Sequence, residues 1–366
     1  MNIRNVSVKV GLVASYSALA FLMSAPRTMA HGGEGLTEET VWSAWNFTPE
    51  VSGLIVFALV IYLRGAVRRR TSSGPQRPLR HLMFIAGTLT LFLALQSPID
   101  AMAERMFLAH QIQHILLRMV GPMLIVLSYP EAVLIAGLPR QVRKRLIAPV
   151  LTNRRLSTVF STLTRPWAAF WLFILSLYVW QIPSVHNAAL TNSAIHYAMH
   201  ITMLIAGFLF FAMIFSRRDT KASHGHGLRI FLLFATIVSN ILLGALTTLK
   251  EVVLYTAYDI EGRLFGILPL VDETGGGYII WVPSSMMIII AIIATFRGWN
   301  AAEERRFARR YEWTGSNSAA LEFPETAAEL RIKVAGPNRR MGQSLALGSL
   351  ALFSIVMATA ITVLQL

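Results

Sequence analysis

The sequence contains no cysteine. That excludes disulfides, thiolate metal sites and cysteine nucleophiles, and it leaves His, Met and carboxylate as the available metal ligands. Charge is also scarce: 14% of the 366 residues are Asp, Glu, Lys or Arg, against about 25% in soluble domains. Acidic residues are the rarer sign, 19 against 33 basic ones, for a formal net charge of +14. No phosphate-cradling glycine loop, GxSxG elbow or paired nucleophile and base stands out, so the sequence reads as a non-enzyme. What is abundant is apolar: 54% of residues are hydrophobic and the mean hydropathy is +0.54. Lipid is the solvent that such a chain implies.

Apolar stretches fall near 50–63, 81–96, 106–128, 166–182, 194–215, 228–249, 278–296 and 343–364. About 20 residues at 1.5 Å rise cross the roughly 30 Å hydrocarbon core, and a helix satisfies its own backbone there. The sequence therefore predicts an all-α fold, a polytopic transmembrane helical bundle of seven core helices plus a C-terminal extra helix, after an N-terminal signal segment. In residues 1–30, Arg4 and Lys9 flank an apolar run over 10–23, and Thr28-Met29-Ala30 offers small residues for cleavage. This reads as a signal peptide, the alternative being an uncleaved helix. Residues 31–312 form the helical membrane domain, 313–342 a cytoplasmic linker and 343–366 the last transmembrane helix.

Basic residues orient the bundle. The alternate loops 64–80, 139–165, 216–229 and 297–340 hold 26 of the 33 Lys and Arg residues, which places them in the cytoplasm by the positive-inside rule. The opposite face carries few cations: Lys250 and Arg263 in the loop 250–277 stand beside Glu251, Asp259, Glu261, Asp272 and Glu273. The positive charge is thus explained by topology and anionic lipid, with no nucleic acid partner required.

That orientation sorts the nine histidines. His110 and His114 lie in the outer half of the third helix, and His196 and His200 in the outer part of the fifth. His186 sits in the outer loop before the fifth, and His31 in the outer N-terminal segment. His81 begins the second helix at the inner surface, and His224 and His226 belong to a Gly-rich cytoplasmic loop. Both helical pairs are HxxxH, and residues four apart share one helix face. His110 and His200 fall roughly 5–10 Å below the outer surface at 1.5 Å per residue. Met106, Met199 and Met203 join the same stripes. Imidazole with thioether and no thiolate suits copper, above all Cu(I), with zinc as an alternative. His31, as a first mature residue, adds a mobile ligand. The bland reading is that these are satisfied polar residues bonding helix to helix, with methionine as packing. Arg118, four after His114, has no Asp or Glu in the apolar stretches to pair with, and needs carbonyls, Asn240, Gln113 or water to receive it.

The run AHQIQHILLRMVGPMLIVLSYP over 109–130, SAIHYAMHITMLIAGFLFF from 193, and LYTAYDI followed by PLVDETGGGYIIWVP up to residue 283 together resemble the CtaG family of cytochrome c oxidase assembly proteins, the polytopic type linked to caa-three oxidases. The resemblance covers roughly 40–312. It implies that His110, His114, His196 and His200 belong to a polar centre associated with copper delivery to the oxidase. The implied partners are cytochrome oxidase subunits, the lipid bilayer and a copper chaperone, in a bacterial plasma (inner) membrane with the metal site on the extracytoplasmic side. The family often has Asp-Gln-Gln before the glycines, whereas Asp272 here is followed by Glu273 and Thr274, which puts the role of that loop in question. Two other classes stay open on the residues alone: a bis-histidine haem protein and a copper transporter, the latter disfavoured because polar groups thin out below His114 to Arg118 and Asn240.

The charge asymmetry has a direct test. With no native cysteine, Glu251→Cys should react with a membrane-impermeant thiol reagent from outside intact cells and Arg145→Cys only after permeabilisation; the reverse pattern would overturn the orientation.

Overall fold

A computed structural model describes residues 36–73, 78–216, 225–311 and 326–365. The signal segment and His31 lie outside the described residues. By compactness the chain divides into two units, 1–288 and 289–366. The described residues of the first unit contain helices α1 (Pro49–Ser73), α2 (Pro78–Gln96), α3 (Pro98–Arg105), α4 (Phe107–Ser128), α5 (Glu131–Gly137), α6 (Arg154–Leu163), α7 (Pro166–Gln181), α8 (Pro183–Thr191), α9 (Ser193–Ile214) and α10 (His226–Thr248), with short helical turns over 140–152. Helix α11 (Pro269–Tyr311) starts in the first unit and ends in the second, which also holds α12 (Ala327–Gln365).

Among the described residues, six helices are long and apolar enough to cross a membrane: α1 through Arg69, α2, α4, α9, α10 and α11 through Arg305. The pair α6 and α7, bent by 68°, makes a seventh if it counts as one span. The protein is a multi-pass membrane protein, and these spans overlay seven of the eight apolar stretches. The eighth, 343–364, lies inside α12, a helix that also covers 327–342, where the sequence suggests a linker. Outward-facing Val67, Leu89, Leu175 and Leu246 are more than half exposed, as suits side chains that meet lipid rather than water.

Helix starts follow local chemistry. Proline opens α1, α2, α3, α7, α8 and α11, where its missing N–H is one of the orphan donors anyway. Ser97 caps α3 by accepting from the Ile99 N–H, and Asn192 caps α9 by accepting from Ala194 and Ile195. Within the first unit α2, α4, α9, α7 and α10 pack side by side in that order, with α1 against α2 and α5. The two His-bearing helices are the central ones: 56% of the apolar window is buried in both α4 and α9, against 17–39% in the other unbroken spans.

One contact sets the approach of α4 and α9. Over Leu116–Val120 the α4 backbone widens into a π turn, and Pro122, four after Arg118, has no N–H to give the Arg118 carbonyl. Gly207 of α9 packs there, and a Cβ on it would lie 2.1 Å from that carbonyl oxygen. Only a glycine tolerates this approach. The contact sits about 6 Å along α4 below His114 and about 10 Å along α9 below His200, so it sets the gap between the two histidine pairs. Gly207→Ala should force the helices apart and cost about 1–3 kcal/mol, as over-packing of well-filled cores does. The check is a lower thermal midpoint in detergent, and an unchanged midpoint would refute the account.

Candidate metal centre

The α4 and α9 stripes meet as the spacing suggests. The His110 ring lies 4.3 Å from that of His114, 5.3 Å from His196 and 6.0 Å from His200, centroid to centroid. His196 and His200 are 4.4 Å apart, and His114 and His200 5.9 Å. One nitrogen each of His110, His196 and His200 falls within 4.8 Å of the other two. A metal at 2.0–2.1 Å from each needs nitrogens about 3.3–3.6 Å apart, so small ring movements close the trio. His114 touches His110 from below and stands outside the trio. His110, His114 and His200 are buried, while His196 is partly exposed.

Hydrogen bonding separates these rings from ordinary core histidines. The Nε2 atoms of His110 and His200 and both nitrogens of His114 are buried with no partner. Each such atom costs of order 1–3 kcal/mol. His196 is tied to the Ala189 backbone. A fifth imidazole, His186 of α8, stands 5.0 Å from His110. Burial pushes His186 down to about 4, against a smaller upward pull from the Trp180 carbonyl, and the neutral ring satisfies both nitrogens: Nδ1 on the Trp180 carbonyl at 3.0 Å, Nε2 at 2.8 Å from the Tyr258 hydroxyl. That hydroxyl also meets His110 Nδ1 at 2.7 Å.

The methionines are placed differently. Met106 has extended backbone at the junction of α3 and α4 and is buried with Val41, Ala109 and Leu264. Met199 and Met203 are fully buried in a cluster with Phe107, Leu177, Tyr255, Tyr258 and Ile280. All three are thus packed among apolar side chains.

Below the rings, Arg118 donates to the Phe173 carbonyl at 2.8 Å and lies 3.6 Å from the Phe173 ring centre, a carbonyl and cation–π anchor that joins α4 to α7. Asn240 and Gln113 do not receive it: Gln113 donates to Ala94 and Asp100, and both amide atoms of Asn240 are buried without partners. A cavity of about 10 Å³, lined by Gln111, His114, Arg118 and Ser284 among others, lies between. It is at the lower limit for one water.

Above the rings, the segment 249–268, which with the start of α11 makes up the loop expected over 250–277, is held by buried charge. Asp272 accepts from the Phe107 and Leu108 N–H groups at 2.8 and 2.9 Å, capping α4, and pairs with Arg263. Glu273 pairs with Lys250 and with Arg263 at 3.3 Å and accepts from Leu254 and Tyr255 N–H. The departure from Asp-Gln-Gln therefore leaves a residue that binds loop amides by its own carboxylate. Gly276 admits the Phe107 ring, 2.1 Å from where its Cβ would be, and Phe107 stacks on Tyr255 at 4.2 Å.

The profile of the cytochrome c oxidase caa3 assembly factors (Caa3_CtaG) matches residues 60–302, which contain both histidine pairs, His186 and Tyr258. The chain belongs to this family. Uncharacterized proteins of Mycobacterium bovis and Mycobacterium tuberculosis are each 28% identical to it over 309 residues, 79% of this chain and 46% of theirs. One from Mycobacterium leprae is 25% identical over 272 residues, 74% of this chain and 41% of its own. The chain spans less than half the length of these curated relatives. No solved structure matches it.

In this Caa3_CtaG member the carboxylate of Asp272 carries both the α4 cap and an ion pair. Asp272→Ala should destabilise by the lower end of the roughly 3–5 kcal/mol lost on breaking a buried pair, since Glu273 and Asp259 still face Arg263. Asp272→Asn, which keeps a capping oxygen, should lose less. Detergent melting curves decide, and equal midpoints for Asp272→Ala and wild type would refute the cap.

Proposed function

We propose that this protein assists assembly of a haem-copper cytochrome oxidase by holding copper at His110, His196 and His200 on the extracytoplasmic side and passing it to an oxidase subunit. The observation that carries the reading is the trio of imidazole nitrogens within 4.8 Å, two of whose rings keep a buried Nε2 without a partner. A shared cation removes that cost and suits an all-nitrogen, neutral donor set. His114 stands by as a fourth ligand, and Met199, Met203, Met106 and His31 are optional ones. Copper is cargo here, arriving from a copper chaperone or from solution, and His196, the partly exposed ring, stands at the mouth. No bond of a substrate is made or broken.

Two rivals fare worse. A bis-histidine haem would have to enter between rings already in contact at 4.3–6.0 Å. A transporter would need a cation path past His114, where the space narrows to about 10 Å³ beside the cationic Arg118.

The test is elemental analysis of detergent-purified protein. Wild type should carry copper with no haem absorption. His110→Ala, His196→Ala or His200→Ala should each lower affinity by about 10-fold or more, a typical loss for groups that serve a metal site. Met203→Ala should do less. A wild type without copper, or copper retained after replacement of all three histidines, would overturn the reading.

A further inference from the structure

Among the trio, His110 is the ring whose metal-facing nitrogen has a proton state dictated from outside. The Trp180 carbonyl can only accept, so the His186 Nδ1 at 3.0 Å carries the proton. In the neutral ring Nε2 is then a lone pair, and the Tyr258 hydroxyl 2.8 Å away must donate to it. The phenol has one proton and has used it. Its oxygen therefore accepts, and the His110 Nδ1 at 2.7 Å is an N–H. In the neutral His110 ring this leaves no proton on Nε2. That atom is a bare lone pair, and it is the same atom that is buried without a partner.

We infer that Tyr258 and His186 are positioning residues that lock His110 in the Nδ1–H tautomer, so that its Nε2 lone pair is already aimed at the cluster when a copper ion arrives. The inference rests on the copper-holding reading above and deepens it. The relay is anchored at both ends by the fold. Trp180 is in the last turn of α7, where carbonyls lack helical partners, and the chain turns at Pro183 to bring His186 of α8 back onto that carbonyl. Tyr258 rides on the short helical turn Thr256–Asp259, which Glu273 fixes through the Tyr255 N–H and Arg263 through its ion pairs. The contacts join residues 72 and 148 apart in sequence, so the segment between α10 and α11 acts on the metal site without supplying a ligand. His114 and His200 have no such partner on their free nitrogens, which makes His110 the ring best prepared to bind first. An N–H bond to a fixed acceptor orients the ring and raises its donor strength, and losing such a partner typically costs 10–100-fold in metal affinity.

The experiment uses the full chain in detergent and Cu(I) alone, competed against a chromogenic Cu(I) chelator. Tyr258→Phe should bind Cu(I) about 10- to 100-fold more weakly. Tyr255→Phe, which removes a buried hydroxyl that contacts Gln181 rather than a histidine, should bind as wild type does. The readout that packing alone would not move is the nitrogen-15 spectrum of ring-labelled histidine in the metal-free protein. There the His110 signals, assigned by their loss in His110→Gln, should report a single Nδ1–H tautomer in wild type and a mixture in Tyr258→Phe. A wild-type His110 protonated at Nε2 would overturn the inference whether or not any variant folds. So would a folded Tyr258→Phe with wild-type Cu(I) affinity and an unchanged spectrum. If wild type takes up no Cu(I), the proposed function fails, and the metal-free spectrum still separates that failure from one of the relay.

Discussion

Hydrocarbon offers no hydrogen bonds, so every polar group inside the bundle must find a partner within the protein. Most of this molecule can be read as solutions to that constraint. Backbone groups are satisfied along helices, prolines open six of them where no N–H is needed, and Thr88, Thr236 and Thr247 return their hydroxyls to carbonyls one turn back. Arg118, the charge deepest in α4, is laid along the Phe173 ring with its guanidinium on a carbonyl. Some groups go without, among them the Asn240 amide and the Thr248 and Ser285 hydroxyls, and the imidazoles of His110, His114 and His200 stand out because four bare nitrogens gather at one point. A bundle that tolerates several such atoms at one point has room for a ligand there in energetic terms, even where little empty volume exists.

The second frame is ionic and lies above the first. The 20 residues 249–268 between α10 and α11 would ordinarily be loose, yet here Asp272 and Glu273, near the start of α11, bind Arg263, Lys250 and four backbone N–H groups. Removing one charge from such a cluster leaves the others buried and uncompensated, so the loop is fixed as a unit or not at all. Its product is the placement of two tyrosines: Tyr255 against Phe107 and Gln181, and Tyr258 between His110 and His186.

The periodic features were legible in the sequence. Apolar runs located the spans, and HxxxH spacing put each histidine pair on one face, because both signals depend only on the 3.6-residue repeat. What pattern cannot carry is the meeting of distant segments. His186, read as part of a loop, lies in helix α8 and meets Tyr258, 72 residues away, and the four-residue spacing of Met106 from His110 suggested a helical stripe where the backbone is extended. Arg118 was identifiable as a charge in need of carbonyls, whereas the carbonyl that receives it, 55 residues away, depends on how α4 meets α7. Within the linker read over 313–342, the chain is helical from Ala327 onward.

The donor chemistry bears on why a handover site would be built this way. Thiolates hold copper tightly and leave slowly, and the chain has none; carboxylates near the rings are engaged with Arg263 and Lys250 instead. Three neutral imidazoles give a weaker, charge-uncompensated hold, and a cation resting on them feels the positive Arg118 guanidinium below, with only low-dielectric side chains between. If copper is bound as proposed, movement inward would be opposed, and the partly exposed His196 would be the ring through which it is reached. Within the copper reading, the fold acts as a pocket closed at its inner end, in which preset lone pairs favour capture and the absence of charge neutralisation favours release to any partner that offers thiolate or carboxylate.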